Sequence, residues 1–272
     1  MTALLIGATE LVASPESVVL DVRWNLTGPD GRAEFLQGHM PGARFVDLST
    51  ELAGPSGADG RHPLPSYEVF AAAMRRVGVR PDTQVVVTDG GSTLPAARLW
   101  WMLTDAGHQH VRVLDGGVAA WTAAGLPVEV GADRPVPAGD FVGAPGHRAV
   151  VSAADVADHQ SLVDVRAHER FTGATEPIDP VGGHIPGAVN APSTENFDQG
   201  RFRPAAELRQ RFDQLGVGAD SVVYCGSGIT ACQTLLAMEL AGIDGGALFP
   251  GSWSAWVADP SRPVATGDQP IS

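Results

Sequence analysis

Lysine is missing altogether: all eighteen cationic side chains of the chain are arginine. Any mechanism that needs a lysine amine, whether as a Schiff base or as a point-charge clamp on an anion, is excluded. Cysteine is nearly missing too. Cys225 and Cys232, seven positions apart, suit neither a disulfide framework nor a structural zinc site, so neither a metal nor a cofactor is expected. No apolar run approaches the ~20 residues of a membrane span, and the first residues, Met1 to Ser14, lack a basic start. The expected location is the cytoplasm, without a membrane partner. Positive charge is in deficit, at a formal net charge of −13, which argues against nucleic acid and anionic membranes. An anionic substrate would need a local positive pocket in a negative molecule.

What the chain does contain is a duplication. Val19-Leu20-Asp21-Val22-Arg23 returns as Leu162-Val163-Asp164-Val165-Arg166, and Gly38-His39-Met40-Pro41-Gly42-Ala43 returns as Gly183-His184-Ile185-Pro186-Gly187-Ala188. In the same order, the Val85 to Gly90 run answers Val222 to Gly226, and Gly116 through Trp121 answers Gly251 through Trp256. At 272 residues and 44% hydrophobic content, two ordinary domains are expected. Residues 1–130 form the first copy and 150–272 the second. The proline- and glycine-containing stretch 131–149 lacks sustained periodicity and reads as a linker, with the boundary near Val150.

Within each copy, short apolar runs alternate with helical patterns, as in Tyr67 to Val77 before the Val85 run and Ala205 to Leu215 before the Val222 run. This is the signature of an α/β fold with a mainly parallel sheet flanked by helices. Beyond the second run, Cys232, Leu235, Leu236 and Leu240 fall on one helical face, and Gly242 gives a stop signal. That helix is expected to pack on the sheet. Ligands in such sheets bind beyond the carboxyl ends of strands, which is where Cys225 falls.

Val222-Val223-Tyr224-Cys225-Gly226-Ser227-Gly228-Ile229-Thr230 delivers a cysteine from a strand into a glycine-rich turn and then a helix start. The backbone N–H groups of Gly226, Ser227, Gly228, Ile229 and Thr230 can form a concave nest with the positive helix end behind it. Free thiols are mostly protonated at neutral pH, and such surroundings favour the thiolate. Residue 225 is therefore read as a nucleophile, although a lone cysteine after an apolar run also describes a buried small hydrophobe. Cys232 is read as packing, and the repeated His39 and His184 as turn or core residues. Arg23 and Arg166, each next to a strand aspartate, are read as structural.

The paired Asp-Val-Arg strands, both Gly-His-x-Pro-Gly-Ala segments, the cysteine turn and the closing Gly251-Ser252-Trp253-Ser254-Ala255-Trp256 resemble the two-domain rhodanese-type sulfurtransferases, the thiosulfate and 3-mercaptopyruvate enzymes. The likeness spans almost the whole chain. It implies two tandem rhodanese-like domains with a site in the cleft between them and the nucleophile in the second copy alone. Asp89 stands where Cys225 would be in the first copy; it reads as a turn or helix-capping residue.

The resemblance further implies that Cys225 takes a sulfane sulfur from a small anionic donor, holds it as a persulfide, and passes it to cyanide or a thiol, with thioredoxin among the candidate acceptors. Arg170 matches the family arginine that binds the donor's anionic group, a task suited to a guanidinium fork. The turn Cys225-Gly226-Ser227-Gly228-Ile229-Thr230 leans toward the mercaptopyruvate enzymes, with Ser227 and His62 matching two members of their proton relay. The relay's acidic member falls at Ser49, with Asp47 nearby. Glu176 to Gly182 lacks the additional arginine of many such enzymes, and Ala255 replaces a glutamate usual in the closing motif.

Two other classes compete. A cysteine phosphatase would need arginine six positions after the cysteine, where Ala231 stands. A noncatalytic persulfide carrier or binding module would need the same turn without rapid turnover.

Overall fold

The computed structural model describes residues 3–268. Its contacts divide the chain into two compact units. One runs to Gly54 and resumes over Pro65–His147; the other takes Pro55–Leu64 together with the residues from Arg148 onward.

The first unit contains β1 (Leu5–Ile6), α1 (Ala8–Val12), β2 (Val18–Asp21), α2 (Gly31–Gln37), β3 (Arg44–Phe45), α3 (Leu48–Glu51), α4 (Tyr67–Arg76), β4 (Val85–Thr88), α5 (Leu94–Asp105), β5 (Val111–Leu114) and α6 (Gly117–Ala123). Its sheet has the order β1-β5-β4-β2-β3 with every pairing parallel. Central β4 is buried at all four residues. A continuous Val-Val-Val run, not an alternating one, is what a strand covered on both faces requires. Helix starts follow local chemistry: Asp30, Asp47 and Ser66 each accept backbone N–H bonds at the head of α2, α3 and α4, and Pro95 lies in the first turn of α5. The Asp47 carboxylate caps α3 through Ser49 N–H at 2.8 Å and Thr50 N–H at 3.2 Å.

The second unit contains β6 (Leu162–Asp164), α7 (His168–Thr172), β7 (Val189–Asn190), β8 (Phe197–Asp198), β9 (Arg201–Phe202), α8 (Ala205–Gln214), β10 (Val222–Tyr224), α9 (Ile229–Leu240), β11 (Ala247–Leu248) and α10 (Ser252–Trp256). Its parallel sheet has the order β11-β10-β6-β7, beside a small antiparallel β8-β9 hairpin. The two sheets are mostly parallel and flanked by helices, as the alternation of patterns predicts.

The repeated motifs are tied to one another in each copy. Arg23 reaches back to its strand aspartate, donating to Asp21 at 2.6 and 2.9 Å, and also to Gly38 O at 3.0 Å. Arg166 does the same with Asp164 and with Gly183 O at 2.5 Å. The histidines that follow are core residues: His39 stacks on Phe35 at 3.9 Å and His184 on Phe171 at 3.7 Å.

Helix α9 packs on the sheet as expected, with Cys232, Leu235 and Leu236 buried. Helix α9 is not one-faced: Ala231, Gln233, Thr234, Ala237 and Met238 are buried along with Cys232, Leu235 and Leu236. It packs on β10 and β11 and also on α8, so even its polar Gln233 and Thr234 are enclosed and no solvent face like that of a surface helix remains over these residues. Gly242, at φ +73, does end it. The stretch 131–147 has little regular structure and lies against the first unit. Phe141 is fully buried, Arg75 Nε donates to Phe141 O at 3.1 Å, and a Cβ at Gly139 would stand 2.0 Å from Val79 O.

Candidate active site

Cys225 is the first residue beyond β10, at the carboxyl end of a central strand, and is 2% exposed. The chain must turn sharply there to enter α9. Gly228, at φ +83, makes that turn, and a Cβ on it would fall 2.3 Å from Pro250 O; only glycine fits. Its N–H donates to Cys225 Sγ at 3.1 Å, one donor of the expected cradle. Ile229 and Thr230 form the first turn of α9, Ile229 buried and Thr230 half-buried. The loop is fastened from outside by Trp253 N–H to Cys225 O at 2.9 Å and Ser254 N–H to Gly226 O at 3.0 Å.

Ser252 was not singled out from sequence. It sits at φ +52, a strained setting for a residue with a Cβ. Its Oγ accepts the Cys225 N–H at 3.1 Å, donates to Phe249 O at 2.9 Å and lies 3.9 Å from Sγ. Tyr224, just before the cysteine, takes the Ile185 N–H at 3.1 Å. Burial, reinforced by Asp164, pushes its hydroxyl well above the ordinary range, so it stays a neutral phenol.

Two guanidiniums cover the turn. A Cβ built on Gly226 would meet Arg61 Nη2 at 3.0 Å and Arg170 Nη1 and Nη2 at 3.5 Å. Arg170 donates to Glu176 at 3.0 and 2.8 Å and to Asp179 Oδ2 at 3.0 Å, and Arg61 Nη1 pairs with Asp179 Oδ1. Burial raises the Glu176 carboxyl, but Arg170 and the N–H groups of Asp179 and Ile178 outweigh it and hold that group below its usual range. Arg166 lies beneath, with its guanidinium 4.5 Å above the Trp253 ring.

Arg61 arrives with His62 on the segment 55–64, which belongs to the second unit. Close backbone approach holds it: a Cβ on Gly60 would stand 2.6 Å from Gly251 O, and Arg61 N–H donates to Ser254 Oγ at 3.1 Å. His62 Nδ1 and Ser227 Oγ share a hydrogen bond of 2.8 Å. The two residues are 165 positions apart in sequence. Cys232 Sγ donates to Gly228 O at 3.2 Å within α9.

The first unit holds the same turn without a thiol. Asp89 is buried, and its carboxylate takes the Gly91 N–H at 2.7 Å and the Ser92 hydroxyl at 3.4 Å. Burial raises its pKa, against the hydrogen bonds of Gly91, Thr93, Ala96 and Ser92. It is a turn residue that fills its own nest.

A buried sulfur at a strand's carboxyl end, touched by a backbone N–H and roofed by two arginines, is equipment for covalent exchange with a small anion. The model of the rhodanese-like domain matches residues 8–124 and again 150–259. The chain belongs to the rhodanese family. It is similar to the Pseudomonas aeruginosa protein named "Probable 3-mercaptopyruvate sulfurtransferase", 45% identical over 98% of this chain and 99% of that protein. It is 44% identical to the Mycobacterium tuberculosis protein named "Putative thiosulfate sulfurtransferase SseB", over 97% of each. Among solved structures, SseA from Escherichia coli, described as a 3-mercaptopyruvate sulfotransferase, superimposes with a TM-score of 0.80 at 35% identity, covering 93% of this chain and 100% of that one.

Proposed function

We propose that the protein is a sulfurtransferase in which Cys225 carries a sulfane sulfur from thiosulfate or 3-mercaptopyruvate to cyanide or a thiol. The Cys225 sulfur attacks the donor's outer sulfur, forming an S–S bond. The bond from that sulfur to the rest of the donor breaks, and its electron pair leaves with sulfite or with the enolate of pyruvate. The acceptor then attacks the outer sulfur of the persulfide and returns the thiolate. The observation that carries this reading is the Gly228 N–H at 3.1 Å from Sγ, beside the Arg61 and Arg170 guanidiniums: a donor for anionic sulfur next to cations for an anionic substrate. Thiol acceptors such as thioredoxin and a reducing cytoplasm fit two free cysteines.

The donor reading favours 3-mercaptopyruvate, because of the 2.8 Å His62–Ser227 contact. Sulfite departs as a stable anion, whereas the pyruvate enolate must be protonated, so a hydroxyl–imidazole pair is useful for one donor only. The two relatives' names divide along the same line, and a comparison of kcat/KM for both donors decides it.

The test of the activity is cyanide-dependent release of thiocyanate over many turnovers. Cys225→Ser abolishes it, and Cys232→Ser keeps most of it. Wild-type protein that gains one sulfur by mass but never turns over would make the chain a persulfide carrier instead.

A further inference from the structure

We propose that, whatever the cysteine turn catalyses, a separate cavity within the first unit binds a small tetrahedral oxyanion such as sulfate or phosphate through Arg44, Arg76 and Arg134. The cavity has a volume of about 230 Å³ and three walls: Arg44 of edge strand β3, Arg76 and Val77 at the end of α4, and residues 133–136 of the stretch that lies against this unit. That volume is below the range of about 300–1,000 Å³ usual for drug-sized ligands, so the space suits an ion. Guanidiniums arriving from three elements can each meet a different oxygen of a tetrahedral anion.

Charge singles the cavity out. The carboxylates beside it are already engaged: Asp133 takes Arg32 at 3.1 Å and the Phe45 N–H at 3.3 Å, Glu51 takes Arg76 at 2.9 and 2.8 Å, and Glu129 takes Arg134 at 2.9 Å. Arg44 is the cation left over. Among the described residues no carboxylate pairs with it, and its Nη1 donates to Val77 O, the carbonyl at the C-cap of α4. The negative end of that helix offsets part of the charge, but one carbonyl satisfies only one of the guanidinium's donors. Arg44 is half-buried, and burial draws its pKa below the ordinary range. A cation taken from water without a counter-ion is disfavoured, and a bound anion supplies one. Arg134 is available as well: its side chain is 81% exposed, and a surface pair of that kind holds it weakly. Bound there, the ion joins β3, α4 and residues 133–136.

The alternative is that Arg44 only fastens β3 to the end of α4. Titration calorimetry separates the two, using the Arg170→Gln protein so that the cysteine turn has lost a cation. With sodium phosphate or sodium sulfate, at ionic strength held constant by chloride, it shows one site per chain and a Kd on the order of 1 mM, the affinity of about two charge-assisted hydrogen bonds. Adding Arg44→Gln raises Kd about 10-fold or more, and adding Arg134→Gln raises it about 3- to 10-fold. Arg134→Gln alters an exposed side chain, so it carries the test if Arg44→Gln fails to fold. Absence of binding to the Arg170→Gln protein, or unchanged binding after Arg134→Gln or a folded Arg44→Gln, overturns the inference.

The wild-type protein gives a measurement without variants. Phenylglyoxal modification, mapped by mass spectrometry, is slowed by phosphate at Arg44 and Arg134 and unchanged at Arg209, an exposed arginine on α8. Equal rates at Arg44 and Arg134 with and without phosphate overturn the inference. Protection confined to Arg61 and Arg170 overturns it too, because the anion then sits at the cysteine turn.

Discussion

Replacing Gly228 by alanine separates the turn's geometry from its chemistry. The residue has φ +83, and its new Cβ would stand 2.3 Å from the carbonyl oxygen of Pro250. That contact is with backbone, so the turn must move. The left-handed conformation alone costs an alanine about 1–2 kcal/mol, and relieving the clash draws the Gly228 N–H away from its 3.1 Å contact with Sγ. A hydrogen bond to a charged group is worth about 1.5–3 kcal/mol, which corresponds to a fall of roughly 10- to 150-fold in kcat/KM. Gly226→Ala is the control. It has no left-handed φ, and its Cβ would meet only the mobile ends of Arg61 and Arg170. Its effect should appear in donor KM, with stability near wild type. Steady-state thiocyanate release, alkylation of Cys225 by iodoacetamide at neutral pH, and urea unfolding report the three quantities. Gly228→Ala with wild-type alkylation and turnover would show that the 3.1 Å contact does nothing for the sulfur.

Other consequences can be checked independently. Ser227→Ala and His62→Asn should each slow turnover of 3-mercaptopyruvate by about 10²- to 10⁴-fold, the usual span for general acid–base catalysis, and leave thiosulfate turnover within a few fold. Equal losses on both donors would remove the proton-relay role. Asp21 is raised from 3.8 to about 6, mainly by burial and further by the charge of Asp89, against the Arg23 hydrogen bonds and charge. Because the folded state holds this proton more tightly than the unfolded state, the Asp21 contribution to stability is fully present below about pH 4 and is lost as pH rises through about 6, a loss of at most roughly 3 kcal/mol. Asp21→Asn should flatten that decline in denaturant titrations at pH 4.5 and 7; an identical slope in the variant refutes the assignment.

Much of this architecture was readable because it is local or repeated. The Val85 and Val222 runs, the Tyr67 and Ala205 helices and the cysteine turn are each written in a short window, and duplication marks the aspartate–arginine and glycine–histidine motifs as a framework. Arg61 could not be found that way. It meets Asp179 across 118 positions, and no local pattern links an Arg-His-Pro segment to an acidic loop in the other half of the chain. Ser252 was hidden for another reason: its part depends on φ +52 and on a hydroxyl beneath Cys225 N–H, neither of which composition records. The pairing of His62 with Ser227 was legible only through the family resemblance. The all-round burial of α9 escaped because Gln233 and Thr234 suggest an exposed face that packing overrides.

The two copies set different side chains on one turn. Their closures match bond for bond: Val118 N–H to Asp89 O at 2.8 Å and Ala119 N–H to Gly90 O at 3.2 Å answer Trp253 to Cys225 at 2.9 Å and Ser254 to Gly226 at 3.0 Å. The backbone frame is therefore common to both copies, and the difference lies in the side chains. In the first copy an internal carboxylate consumes the nest's donors, and Gly117, at φ +58, takes the left-handed position without strain. In the second, Ser252 holds the corresponding position at φ +52. That costs about 1–3 kcal/mol, offset by a hydroxyl that satisfies the buried Cys225 N–H and stands near Sγ. Changing aspartate to cysteine at position 89 would supply a sulfur but neither the serine nor the arginine pair. On the proposed function the chemistry resides in side chains added to a shared turn, so a copy of the domain without the thiol can keep the same fold and the same turn.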